Sequence, residues 1–297
     1  MMRYIYIMLF SLLFSCSQKK NILPQSTGSD SEIVFVAEDS LWKEYKVYIE
    51  NVFKEPIEGV NRKESVFTIV QINHQEFTKI LKRHKNIIIL RRNTENISVK
   101  NKWSKGQLVI QLNTEESQDF FLEKLKKSRR IFESKEIRSI QKALRISSKK
   151  EEESKIKEKF NINVIIPSKY TLAKEEENFI WLTYNPSKKE EISNILFFSY
   201  NKIIKDEKKL LNIIDSVFSK NIFGSKRDSY VKIDPQYDSY FDNNTCKTLW
   251  RLKNGFMGGP LFIKRHFIGN KTIISLGLTF APNKRKRSYV KTFEAIL

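Results

Sequence analysis

The chain has 297 residues, with 54 Lys and Arg against 34 Asp and Glu, a formal net charge of +20. That length fills one large domain or two small ones. A charge of this size usually suggests nucleic acid or an anionic surface, but Lys, Asn, Ile and Phe are all abundant here, as AT-rich codon usage produces, and the excess reads as compositional.

The chain opens with a single basic residue, Arg3, then runs apolar over residues 4–14. A basic start followed by an apolar stretch of this length is a secretory signal peptide. It is too short for a membrane-spanning helix, which needs roughly 20 apolar residues. The run ends Leu13-Phe14-Ser15-Cys16 and turns polar at once, Ser17-Gln18-Lys19-Lys20. This resembles the bacterial lipobox, with Leu three residues before the Cys and a small residue next to it. Residues 1–15 are thus expected to be removed and Cys16 to be lipidated. At about 0.8 kcal/mol per buried CH₂, the acyl chains of such lipoproteins hold the protein on the membrane permanently. Ser17 follows Cys16, with no Asp there and no acidic pair in residues 17–21. The expectation is an outer-membrane anchor with the domain facing the periplasm. Export argues against a nucleic-acid partner, although a basic domain beside anionic headgroups is drawn to them. Cys246 is the second cysteine. With Cys16 acylated no intrachain disulfide can form, and stability must come from the core.

Residues 16–31 are polar, with Pro24, Gly28 and several Ser, and read as a flexible tether. The folded region is expected over 32–297. Residues 32–37 form a short apolar run, a buried strand. Asp39 is placed as a helix N-cap, followed by Leu41, Tyr45, Tyr48, Ile49, Val52 and Phe53 at helical spacing. A strand is predicted over 66–72, a short helix over 75–83, and strands over 86–90 and 107–112. Asn113 with Glu116 fits a capping box. The long helix after it puts Phe121, Leu125, Phe132, Ile140 and Leu144 on one face. The polar run 147–153 is either a boundary between halves, near 147–160, or one solvated face of that helix.

Strands are predicted over 162–166, 178–184 and 194–200, then a helix over 206–219. A polar, Tyr-rich segment covers 230–244. Residues 248–253, the pair Asn254-Gly255 and residues 256–266 make a β-hairpin, since Asn-Gly favours the type I′ turn. Gly269-Asn270 is a second turn. Ile274, Leu276, Leu278 and Phe280 alternate with Ser275, Gly277 and Thr279, as in a half-buried antiparallel strand. A last helix over 288–297 buries Val290 and Phe293. The fold class is α+β: a mixed, mostly antiparallel sheet or sheets with helices packed on one face, closed by a C-terminal β-meander and a helix.

The residue pattern offers little chemistry. Gly258, Gly259 and Pro260 follow the hairpin turn and demand special backbone. They are either a bulge that re-aims the strand or a backbone-lined ligand site with Trp250, Arg251, Phe256 and Met257. His74, His84 and His266 are scattered without metal-ligand spacing. Asp234, Asp238 and Asp242 lack the spacing of a calcium loop. No phosphate-binding or dinucleotide loop and no nucleophile elbow occurs. No metal, cofactor or catalytic residue is assigned. Lys284-Arg285-Lys286-Arg287 reads as a solvated helix entry.

The stretch from Thr248 to Ile263, with its Trp-Arg pair and Phe-Met-Gly-Gly-Pro run, resembles the domain of unknown function 4837, a family of lipoproteins of Bacteroidota. Gly277-Leu278-Thr279-Phe280-Ala281-Pro282 and the final helix carry the same resemblance. So do Asp39-Ser40-Leu41-Trp42, Phe53-Lys54-Glu55-Pro56, Arg83-His84-Lys85-Asn86-Ile87 and the Ile-Pro-Ser step at 166–168, so that it spans roughly residues 33–297. Asn254-Gly255 departs from the more acidic turn of the family. The resemblance implies a lipoprotein of the envelope and no particular activity. The function expected is non-enzymatic binding of an envelope component or partner protein. The alternative is an envelope hydrolase with its site near Trp250–Pro260.

Overall fold

The computed structural model describes residues 22–297, so the expected signal segment and the expected lipidation site, Cys16, lie outside the described residues. The N-terminal part holds β1 (Glu32–Val36), α1 (Asp39–Phe53), β2 (Thr68–Ile72), β3 (Asn86–Arg91), β4 (Ile97–Lys100), β5 (Leu108–Asn113) and α2 (Gln118–Arg145). Its five strands are ordered β2-β1-β3-β5-β4, parallel except for β4. The central strands are uniformly apolar, Ile33 to Val36 and Ile87 to Leu90, because a parallel sheet is covered on both faces. On one face α1 and α2 enclose Phe35, Phe53, Phe67, Phe121 and Phe132. The other face carries no helix. There Val36, Ile87, Ile89 and Val109 are covered by Phe77, Leu81 and Trp103 from the connecting loops.

Several local expectations change. Glu38, not Asp39, occupies the N-cap of α1, and Asp39 begins the helix. The helix expected over 75–83 shrinks to a 3-10 turn, Leu81–Arg83. Asn113 and Glu116 form no capping box, since α2 starts at Gln118 with Ser117 as N-cap. Instead Asn113 Oδ1 accepts from the Glu115 amide at 3.2 Å. The tether is also shorter than the composition suggests. From Pro24 onward the backbone is fixed: the Ser26 amide donates to the Lys105 carbonyl at 3.1 Å and the Thr27 amide to the Arg83 carbonyl at 2.9 Å. Gly28, at φ +82, lies so close to the His84 ring that a Cβ would sit 2.1 Å from it.

After α2 the chain breaks at residues 146–149 and restarts as α3 (Lys150–Phe160). Then follow β6 (Thr171–Glu176), β7 (Phe179–Tyr184), β8 (Ile192–Tyr200), α4 (Glu207–Asn221), β9 (Val231–Ile233), β10 (Tyr240–Asp242), β11 (Thr245–Leu252), β12 (Gly258–Ile268), β13 (Lys271–Phe280) and α5 (Arg287–Ile296). The eight strands form an antiparallel sheet, β10-β11-β12-β13-β8-β7-β6, with β9 also on β11. Helix α4, capped by Asp206 accepting from the Lys209 amide, packs Leu210, Ile214 and Phe218 on one face. The other face meets α3 and α5 through Ile156, Phe160, Phe293 and Ile296. The class is therefore α+β with mixed, mostly antiparallel sheets, and the larger sheet is clothed by helices on both sides.

That second covering explains two departures, and a third is local to the hairpin turn. β13 is buried along nearly its whole length rather than on alternate residues, because α5 covers the face of Ser275, Gly277 and Thr279. Residues 162–166 are not a strand. They run extended into the same core, the Ile165 amide donating to the Ile296 carbonyl at 3.0 Å. The hairpin pairs β11 with β12, but its turn is not type I′, which needs positive φ at both central residues. Only Asn254 is left-handed, at φ 56. The Leu252 amide donates to the Met257 carbonyl across a wider loop. At the next turn Gly269, at φ 55, leads Asn270 between paired Ile268 and Lys271, as a type II′ turn requires.

Candidate functional site

The residues from Trp250 to Pro260 do not converge on one place. Trp250 is buried in the core under α4, its Nε1 donating to the Thr279 carbonyl at 3.3 Å. Gly258, Gly259 and Pro260 pair in unbroken register with Arg251, Trp250 and Leu249, so there is no bulge. Neither glycine has positive φ. They are needed for close approach. A Cβ on Gly259 would stand 2.1 Å from the Thr279 carbonyl oxygen, and one on Gly258 would stand 2.8 Å from that of Trp250. Met257 packs on the core. Phe256 projects from the hairpin tip, 90% exposed.

Of this stretch, only Arg251 and the turn residues Leu252 to Phe256 line an open basin of about 830 Å³, beside the tip of the hairpin. Lys226, Lys232 and Lys253 share it, and Lys253 Nζ lies 4.9 Å from the centre of the Tyr230 ring. The charged groups of this lining are all cationic.

A second concave site has no counterpart in the sequence reading. A groove of about 640 Å³ lies on the helix-free side of the N-terminal sheet. Glu38 follows β1 and Leu41 lies in the first turn of α1, His74 follows β2, Arg91 ends β3 and Arg92 follows it. Phe77 and Trp103 come from the β2–β3 and β4–β5 connections and meet edge to face with centroids 5.5 Å apart. Lys102 Nζ stands 4.7 Å from the Trp103 ring centre, and Lys82 Nζ 5.7 Å from that of Phe77. Arg92 pairs with Glu44 at 2.8 Å. Lys82, Arg91 and Lys102 have no carboxylate within salt-bridge distance among the described residues.

Groups with the elements of catalysis are elsewhere and sealed. His266 Nε2 and Ser275 Oγ lie 2.9 Å apart, the spacing of a base and a nucleophile. Ser275 is fully buried, however, and burial, helped by the Lys264 charge, pushes the His266 pKa down to about 4. His84 is equally structural, with Nε2 2.7 Å from Glu32 Oε1 and Nδ1 3.0 Å from the Asn86 carbonyl. Burial lowers the Lys135 ammonium to about 8, where it donates to Asn86 Oδ1 at 2.7 Å. The Cys246 thiol is buried and pushed up to about 12 by desolvation. Asp234 and Asp242 serve their own loop, accepting from the Gln236 amide and the Asn243 side chain. No cluster of His, Cys, Asp and Glu able to hold a metal occurs among the described residues.

The basic run at α5 is solvated only in its first half, where Lys284 and Arg285 are exposed. Lys286 is 5% exposed, its ammonium donating to the Ala281 and Lys284 carbonyls, and burial lowers its pKa. Lys284 pairs with Glu191.

Comparison with known proteins divides the chain where the long helix breaks. One family model, a domain of unknown function (DUF8532), matches residues 26–145. Another, a domain of unknown function (DUF4837), matches residues 148–297. The motifs at Asp39, Phe53 and Arg83 thus fall within the first match, and those from Trp250 to Pro282 within the second. No curated protein matches the chain. Among solved structures, the human StarD13 (DLC2) lipid transfer and protein localization domain is similar over 50% of this chain and 95% of its own, with 7% identity and a TM-score of 0.22. So low a score carries no argument about fold or ligand. With half of its length matched, including the Trp-Arg and Gly-Gly-Pro motifs, the chain belongs to the DUF4837 family.

Proposed function

We propose that this chain is a lipid-anchored, non-enzymatic binding module of the bacterial envelope, held by acylated Cys16 and facing the periplasm from the outer membrane. The anchor is supported by the Leu13-Phe14-Ser15-Cys16 sequence behind a basic start and an apolar run. Binding is supported by the chemistry of the two open sites. Both are lined by ammonium and guanidinium groups with aromatic rings between them. Such cations hold anions, and they offer hydrogen-bond donors without an acceptor. The Ser275–His266 pair, which has a catalytic spacing, is closed to substrate by burial.

The anchor is tested by expressing the chain in a lipoprotein-processing bacterium fed an alkyne-tagged fatty acid. The wild type should take up label and sediment with outer membranes, while Cys16→Ala should remain unlabelled and unprocessed. An intact mass with a bare Cys16, or a mature start elsewhere, would overturn the anchor.

A further inference from the structure

We propose that the groove on the helix-free face of the N-terminal sheet binds a small organic phosphate, its phosphate held by Arg91 and the neighbouring cations and its planar or apolar body resting on Phe77 and Trp103. The inference rests on the binding part of the function above and not on the anchor.

Three independent features coincide there. The first is topology. From β1 the chain leaves through α1 to β2 on one side, whereas β3 lies on the other side of β1. Where connections diverge in this way, the carboxyl ends of the two strands are left with a crevice between them, the usual ligand position in open parallel sheets. Glu38 and Arg91 stand at those two ends and both line the groove.

The second is charge. Lys82, Arg91 and Lys102 lack carboxylate partners within the structure described, and Arg92 shares Glu44 at 2.8 Å. Glu38 is the acidic residue of the lining. One carboxylate group would need a single bidentate partner, whereas the oxygens of a dianionic phosphate can use several cations at once.

The third is the aromatic pair. Phe77 and Trp103 are only partly buried, and their edge-to-face contact fixes a rigid wall. Lys82 and Lys102 already lie over these rings, so an anion placed beside them meets positive charge and an apolar surface together. A volume of about 640 Å³ suits a ligand of sugar-phosphate to nucleotide size.

The probe is 4-nitrophenyl phosphate, titrated calorimetrically into the full-length chain in a neutral detergent beside inorganic phosphate. The aryl phosphate should bind with one-to-one stoichiometry and inorganic phosphate at least about tenfold more weakly, since it leaves the aromatic wall unused. Arg91→Ala and Lys102→Ala, both at exposed side chains, should each weaken the aryl phosphate by about fivefold to tenfold with unchanged melting temperature. Lys253→Ala, in the hairpin basin, should leave binding as it was. Micelles containing phosphatidylglycerol that compete with the aryl phosphate would assign the phosphate to a lipid headgroup, and failure to compete would assign it to a free solute. The inference falls if no heat of binding appears, if inorganic phosphate binds equally well, or if Lys253→Ala rather than Arg91→Ala removes binding. Release of yellow 4-nitrophenolate, lost in Arg91→Ala, would support the groove while overturning the non-enzymatic function.

Discussion

Arg287 and Glu136 form a two-pronged ion pair, Nη1 to Oε1 and Nη2 to Oε2, both at 2.7 Å. It joins the first residue of α5 to the middle of α2, the long helix of the other matched region. Arg287 Nε also donates to the Val66 carbonyl at 2.7 Å, and Glu64 caps α5 by accepting from the Lys286 and Arg287 amides. Both charged side chains are largely removed from water. Removing one partner strands the other, so Glu136→Ala should cost about 3–5 kcal/mol in urea unfolding. The double change Glu136→Leu with Arg287→Met should cost clearly less than the sum of the single changes. Additive losses would show that the pair contributes nothing as a pair.

Gly259 should tolerate no side chain. The atom facing its absent Cβ is the Thr279 backbone carbonyl oxygen at 2.1 Å, inside the sheet, where it cannot swing away. Gly259→Ala is expected to destabilise by about 1–3 kcal/mol, a fall of several degrees in a thermal melt. Gly258→Ala, facing the Trp250 carbonyl oxygen at 2.8 Å, should lose less. A Gly259→Ala melt equal to wild type would return this segment to consideration as a ligand site.

His266 makes acid sensitivity specific. Its pKa is near 4 in the folded chain, because burial first and the Lys264 charge second oppose protonation, against an ordinary value of 6.5. Between those values the unfolded chain binds the proton and the folded chain does not. Stability from this group is therefore complete above pH 6.5, falls as pH drops toward 4, and levels below it, with a total change of about 3 kcal/mol. His266→Gln should flatten that portion of the stability profile relative to wild type. Parallel profiles for the two proteins would exclude His266 as the source.

Cys246 should be silent to thiol reagents. It is 1% exposed and its thiol is held near 12, so the reactive thiolate is scarce at neutral pH. Labelling by a charged disulfide reagent should begin only with unfolding in urea, following the same transition as the intrinsic fluorescence. Rapid labelling of Cys246 in the native chain would mean that β11 opens locally.

The elements legible in the sequence are those whose burial pattern matches their own period. Phe121, Leu125 and Phe132 announce α2, and Gly269-Asn270 announces its turn, because spacing and turn chemistry suffice. The ones missed depend on distant neighbours. Ser275, Gly277 and Thr279 look solvent-facing, yet they are small because the other face of β13 must admit α5. A Cβ on Gly277 would meet the Phe293 ring at 2.1 Å. β6 carries Leu172, Lys174, Glu175 and Glu176 with little burial, as an edge strand can, and so gives no apolar signal. The apolar run at 162–166 suggests a strand but is buried by filling a core, without joining a ladder. The groove was the least legible feature. Phe77, Lys82, Arg91, Lys102 and Trp103 form no motif and meet only because two loops cross the same sheet face.

Val290 of α5 belongs to the hydrophobic core of the N-terminal sheet, beside Phe67 and Phe132. That placement makes the two regions mutually dependent. Without α5, the N-terminal region lacks one wall of its core and leaves the Glu136 carboxylate unanswered. A fragment ending before α5 should therefore be degraded by protease much faster than the full chain, and in the full chain the two matched regions should unfold together rather than one after the other.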